Sequence, residues 1–64
     1  MTRITLQRGG FTYVYRIGKR TAEYFRWING DLDTHNDEIK PHFAEEDVEE
    51  LKRSGFGITD IRYT

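Results

Sequence analysis

The sequence contains no cysteine, a single proline and no long hydrophobic run. Without cysteine the chain can form neither a disulfide nor a thiolate metal site. A membrane-spanning helix needs roughly 20 consecutive apolar residues, which no segment provides. The N-terminus alternates polar and apolar residues and has no signal-peptide pattern. These absences predict a cytoplasmic protein that does not enter a membrane.

The chain is short, and its length limits the core that it can form. Its 64 residues predict one domain, residues 1–64. A domain of this size buries only about 60% of the surface that its unfolded chain exposes. Six of the nine aromatic residues lie between Phe11 and Ile28. We therefore expect this segment to supply most of the core, unless a second copy of the chain contributes.

The net charge of −1 conceals an uneven distribution. Residues 1–30 carry six basic side chains and one acidic side chain, whereas residues 31–50 carry nine acidic side chains and one lysine. This division predicts a dipolar molecule with a basic N-terminal sheet and an acidic middle. The overall negative charge argues against general affinity for nucleic acids.

Alternation of apolar and polar side chains predicts a three-stranded meander over residues 2–28, because a period of two is typical of strands. The Gly9-Gly10 pair between the first two runs predicts a type I′ hairpin. That turn sets Leu6 opposite Tyr13, so the apolar faces of the first two strands coincide.

The register of the third strand depends on the length of the turn that begins at Gly18. A two-residue turn places Tyr24 and Arg26 on the core side, whereas a three-residue loop places Phe25 and Trp27 there. Each large apolar side chain left in water forfeits roughly 1.5–3 kcal/mol, which exceeds the usual preference for one turn over another. We therefore predict the register that buries Phe25 and Trp27.

The second half of the chain predicts a polar connection, a helix and a final strand. Residues 29–42 are polar and indicate a long connection. A helix is expected over about residues 45–54, ending in a Schellman motif at Gly55 and Phe56. A strand follows at about 58–63. The order β-β-β-α-β predicts an α+β domain of two layers, with one helix on one face of a mainly antiparallel sheet.

The pattern assigns side chains to the two faces of this sheet. The predicted core consists of Leu6, Tyr13, Phe25, Trp27, Val48 and Leu51. The outward face is predicted to carry Arg3, Arg16, Tyr24 and Arg26. Because tyrosine and arginine are enriched where proteins contact other proteins, we expect these four residues to bind a partner. The acidic helix, with Glu46 and Glu50, is the second candidate surface.

No catalytic, metal-binding or nucleotide-binding motif is apparent. The segment with Asp31, Asp33, His35 and Asp37 resembles a calcium loop in its spacing, but Asn36 stands where an EF-hand needs glycine. The two histidines lack a third ligand, and the one serine lies at a helix end. We therefore expect no enzymatic activity, no cofactor and no metal.

Three functions remain compatible with the sequence. The first is a small regulator or inhibitor that docks on another protein, of the kind that compact viral or mobile-element genomes encode. The alternative is a nucleic-acid-binding domain that uses the basic sheet face. The second alternative is a structural homodimer that pairs through open sheet faces or the edge of the last strand.

Overall fold

In the computed structural model, which describes residues 1–63, the chain forms an antiparallel sheet with one helix on it. The elements are β1 (Thr2–Arg8), β2 (Phe11–Ile17), β3 (Ala22–Ile28), β4 (Asp31–Ile39), α1 (Pro41–Arg53) and β5 (Gly57–Tyr63). The strand order in the sheet is β4-β3-β2-β1-β5. The predicted α+β class is confirmed. Over residues 1–63, no helix has the length and apolar character that crossing a membrane requires.

The β1–β2 hairpin has the predicted register. Leu6 lies opposite Tyr13, and Ile4 lies opposite Tyr15, so the apolar side chains of both strands share one face. Gly9 has a positive φ of 57°, but Gly10 does not. One positive φ, at the first central residue, is typical of a type II′ turn rather than the type I′ turn expected.

The predicted register of β3 is wrong. Residues 18–21 form a four-residue connection, and Ile17 pairs with Ala22. Four residues preserve the same alternation of faces as a two-residue turn does, whereas the expected three-residue loop would reverse it. Phe25 and Trp27 consequently lie on the side of the sheet opposite to α1.

The charge of Glu23 explains this register. In the predicted register its carboxylate would lie beneath the helix, and burying an unpaired charge is costly. In the observed register Glu23 lies on the solvent side, and the small Ala22 is buried in the core. Phe25 and Trp27 stack on each other and stay half-buried, which reduces the cost of their position.

The predicted connection over residues 29–42 is mostly a strand. Asn29 and Gly30 have φ values of 51° and 86°, as a type I′ turn requires. This turn returns the chain as β4, which pairs with β3 and forms one edge of the sheet. The pairing contains two register shifts. A charged and irregular strand suits an edge because it does not template further pairing.

The helix begins at Pro41, four residues before the predicted start at 45. Proline suits the first helical position because its missing N–H would have no partner there in any case. The preceding Lys40 is extended, with a φ of −84°. Ala44 and Val48 are buried, and they anchor α1 over β2 and β3.

The end of the helix is a Schellman motif, as predicted. The N–H of Phe56 donates to the carbonyl of Leu51 at 3.0 Å, and the N–H of Gly55 donates to that of Lys52 at 3.1 Å. Gly55 has a φ of 95°, which an L-residue adopts only with strain. The turn directs the chain from α1 into β5.

The core is small and lies between α1 and the centre of the sheet. Its buried members are Leu6, Tyr15, Ala22, Ala44 and Val48. Of the six residues predicted to form the core, Leu6 and Val48 are buried, and Tyr13 and Leu51 pack half-buried against them. The other two, Phe25 and Trp27, lie outside this cluster.

Candidate functional site

The side of the sheet opposite to α1 carries a shallow depression of about 590 Å³. Four strands contribute to its lining. We call the following six lining side chains the open face: Arg3, Val14, Arg16, Phe25, Trp27 and Arg62. The face combines aromatic rings on β3 with a row of arginines, because Arg16, Arg3 and Arg62 are cross-strand neighbours on β2, β1 and β5.

The aromatic rings of Trp27, Phe25 and His35 form a stacked row that extends from β3 to β4. The centroids of the Phe25 and Trp27 rings lie 5.5 Å apart, with 24° between the ring planes. The centroid of the His35 ring lies 4.4 Å from that of Phe25, and the two rings are nearly parallel, at 2°. Val14 on β2 is the cross-strand neighbour of Phe25. The rings are therefore held in place before any partner arrives.

The three arginines of the open face form ion pairs with carboxylates on the same side of the sheet. Arg16 lies 3.2 Å from Glu23, Arg62 lies 2.9 Å from Asp60, and Arg3 lies 3.8 Å from the same aspartate. Exposed pairs of this kind contribute only about 0–1 kcal/mol each. The guanidinium groups can therefore exchange these carboxylates for acidic groups of a partner at little cost.

Two of the four predicted contact residues lie on the open face, and two do not. Arg3 and Arg16 have the predicted orientation. The predicted placement of Tyr24 and Arg26 on the outward face is wrong, because the register of β3 turns both towards the helix side. The ring of Tyr24 stacks on Tyr15 at a centroid distance of 5.5 Å.

Arg26 serves the pairing of β3 with β4. Its Nε donates to an Asp33 carboxylate oxygen at 2.8 Å, and a terminal nitrogen donates to the Thr34 hydroxyl at 3.1 Å. The Thr34 hydroxyl donates to Asp33 at 2.7 Å. This hydrogen bond and the Arg26 guanidinium lower the pKa of Asp33. The contacts span the position where the β3–β4 register shifts.

Sequence reasoning missed three members of the open face: Phe25, Trp27 and Arg62. A signal for the first two was available, since the register that buries them also buries Glu23. For Arg62 the alternation of the last strand indicates the outward face, but its position beside Arg3 depends on the pairing of β5 with β1.

The second candidate surface, on α1, lies on the other side of the sheet. Glu46 and Glu50 are both exposed, as are Glu45 and Glu49. Asp47 is half-buried and accepts a hydrogen bond from the Tyr15 hydroxyl at 3.4 Å. Burial and the neighbouring helix carboxylates raise the pKa of Asp47. The open face, with its three arginines, and the acidic helix thus lie on opposite sides of the sheet.

One group of possible metal ligands occurs among residues 1–63. Ligand atoms of Glu23, His35 and Asp37 lie within 4.8 Å of one another. His35 Nε2 lies 2.7 Å from Glu23, whose other carboxylate oxygen contacts Arg16 at 3.2 Å. Arg16 and His35 thus satisfy this carboxylate, and a cation would have to displace the arginine.

Comparisons of the chain with protein-family models, with curated proteins and with solved structures found no match. The open face and the acidic helix are the two candidate binding surfaces of the protein.

Proposed function

We propose that the protein is a non-enzymatic binding module, a regulator or an inhibitor, that docks on another protein through the open face. The observation that carries this proposal is the stacked pair of Phe25 and Trp27 on the face of the sheet away from α1. Their large rings are half-buried there instead of completing the core. A second layer supplied by a partner would remove them from water.

The chemistry of the open face matches that of residues that dominate binding energy in protein interfaces. Tryptophan and arginine are enriched among such residues, and they act best near the centre of a contact surface. Trp27 and Phe25 supply the aromatic rings of the face on β3, and Arg16, Arg3 and Arg62 lie in a row across β2, β1 and β5 on the same face. Because the rings already stack, their ordering on binding costs little conformational entropy.

The same face indicates the chemistry of the partner. Three guanidinium groups stand against two carboxylates in its ion pairs, those of Glu23 and Asp60. The open face therefore carries a slight excess of positive charge beside its apolar side chains, Val14, Phe25 and Trp27. A complementary protein surface presents an apolar side chain for the depression and carboxylates for the arginines.

Nucleic acid is the second candidate partner, and the aromatic rings favour it as well. Phe25 and Trp27 could stack on the bases of a single strand while the arginines contact phosphates. Glu23 and Asp60 on the same face oppose phosphates, and for this reason we rank nucleic acid second. Phosphate contacts make affinity fall steeply with salt, which distinguishes the two partners.

The experiment is a pull-down from native lysate, with and without nuclease, followed by a titration of the captured partner. We expect Trp27→Ala to weaken binding by at least tenfold, equivalent to about 1.4 kcal/mol. The matched control is Phe43→Ala, which removes another half-exposed aromatic ring from the surface of α1. Thermal melts establish that both variants are folded.

Two results would contradict the proposal. If Trp27→Ala binds like the parent while Glu46→Lys with Glu50→Lys abolishes binding, the acidic helix is the interface. If nuclease removes the captured material and affinity falls steeply with salt, the partner is nucleic acid.

A further inference from the structure

The two edges of the sheet differ in their suitability for pairing with another strand. β4 forms one edge and carries aspartates, glutamate and two register shifts. β5 forms the other edge, beyond β1, and its pairing with β1 contains one register shift, at Thr59. On β5, Ile58 and Ile61 are 39% and 41% exposed, and Tyr63 is 78% exposed. An exposed apolar edge strand readily pairs with a further strand.

The position of the helix leaves this edge uncovered. α1 packs on β2 and β3, where Ala44 and Val48 meet the core. On the helix side of the sheet, Ile61 lies opposite Ile4 of β1. Both residues are partly or largely exposed. An apolar strip thus runs along the helix side of β1 and β5, beside the edge of the sheet.

The sequence of β5 is complementary to itself in one antiparallel register. Two identical antiparallel strands can pair about a two-fold axis that is perpendicular to the sheet. Residues that lie opposite each other then point to the same face of the sheet, which requires that the axis lie beside one residue and not between two. An axis at Asp60 or at Arg62 sets two like charges opposite each other. An axis at Ile61 sets Asp60 of each copy opposite Arg62 of the other, and the two Ile61 side chains meet on the helix side.

We propose that β5 pairs with β5 of a second copy about Ile61, so that the two five-stranded sheets form one continuous antiparallel sheet. Over residues 59–63 the pairing satisfies the outward backbone groups of both edges, and it brings the exposed Ile61 side chains of the two copies together. Asp60 of each copy then pairs with Arg62 of the other copy in exchange for its intrachain ion pair with Arg62 at 2.9 Å, and these two pairs fix the register. The two-fold axis is perpendicular to the sheet, so both open faces lie on the same side and form one extended surface.

The oligomeric state of the purified protein tests this inference, by sedimentation over a range of concentrations. The expected mass is about 15 kDa, twice the 7.6 kDa of one chain. Ile61→Lys should raise the dimer dissociation constant at least tenfold, because it sets two ammonium groups at the axis. The matched control is Leu32→Lys at the β4 edge, where Leu32 is 56% exposed. This variant should dimerise like the parent.

A charge exchange tests the register. Asp60→Arg and Arg62→Asp should each weaken the dimer, and mixing the two variants should restore it, since opposite charges then face each other only across the axis while each chain carries like charges at both positions. A parent protein that remains monomeric at high concentration would overturn the proposal. So would unchanged dimerisation of Ile61→Lys, or dissociation caused by Leu32→Lys, which would assign the interface to β4. If Ile61→Lys does not fold, the charge exchange still decides the question.

Discussion

Replacing Leu6 with alanine should destabilise the protein far more than replacing the larger Trp27. Leu6 is fully buried between the sheet and α1, at 0% exposure. Truncating a buried leucine to alanine costs about 2–5 kcal/mol. Since domains of this size have a total stability of about 3–10 kcal/mol, Leu6→Ala should leave the domain largely or partly unfolded.

Trp27 lies on the open face and is half-buried. A tryptophan in a closed core would cost about 3–5 kcal/mol on truncation, and half of that, about 2 kcal/mol, is expected for a half-buried ring. At about 4–8 °C for each kcal/mol, Trp27→Ala should lower the melting temperature by roughly 10 °C. The variant should remain folded at room temperature.

The assay is urea and thermal unfolding followed by far-ultraviolet circular dichroism, which does not depend on the tryptophan. Phe43→Ala provides a surface reference, because Phe43 is 50% exposed on α1 and its truncation should change stability by about 0.5 kcal/mol or less. The reasoning would be refuted if Trp27→Ala unfolded the domain while Leu6→Ala melted like the parent. That result would place Trp27 beneath the helix.

Three further predictions concern single groups. Because the pKa of Asp47 is raised in the folded state, its ionisation opposes folding; Asp47→Asn should therefore melt higher than the parent at pH 7, with the difference vanishing below about pH 4. Gly55→Ala should cost about 1–2 kcal/mol in urea unfolding because φ there is 95°, whereas Gly57→Ala, at an open position with no positive φ, should cost less. Arg26→Ala should lower the urea midpoint only slightly in the same assay, because its ion pair with Asp33 is exposed to solvent.

The local features of the fold could be predicted because their signals lie within a few residues. The β1–β2 hairpin follows from Gly9-Gly10 and the alternation around it, and the Schellman motif follows from Gly55. The start of the helix differs from the prediction because the polar residues around Pro41 are as typical of a connection as of a first helical turn. At the first helical position, proline instead favours a helix.

The polar strand β4 was missed for a different reason. Its side chains show no regular alternation of apolar and polar residues, since an edge strand with charged side chains buries little. The signal that remained was Asn29-Gly30, a pair that strongly favours a two-residue hairpin turn. The Asn29-Gly30 turn therefore predicts a strand after it, even though the residues that follow are polar.

The candidate site could be predicted only in part, because the face to which a β3 residue belongs depends on one loop length. Arg3 and Arg16 were assigned correctly, since the β1–β2 turn fixes their strands. Phe25 and Trp27 were assigned to the wrong side on the basis of hydrophobicity alone. In so small a domain, the cost of burying a nearby carboxylate decides against burying two large rings.

The account depends most directly on the side of the sheet to which Trp27 belongs. Trp27 is the one tryptophan in the chain, so its fluorescence reports on this position alone. The measurement is quenching by acrylamide and by iodide, in the native protein and in denaturant. The account predicts that both quenchers reach the native ring, with constants only a few-fold below those of the unfolded chain. A blue-shifted emission that neither quencher reduces would place Trp27 in a closed core and contradict the account.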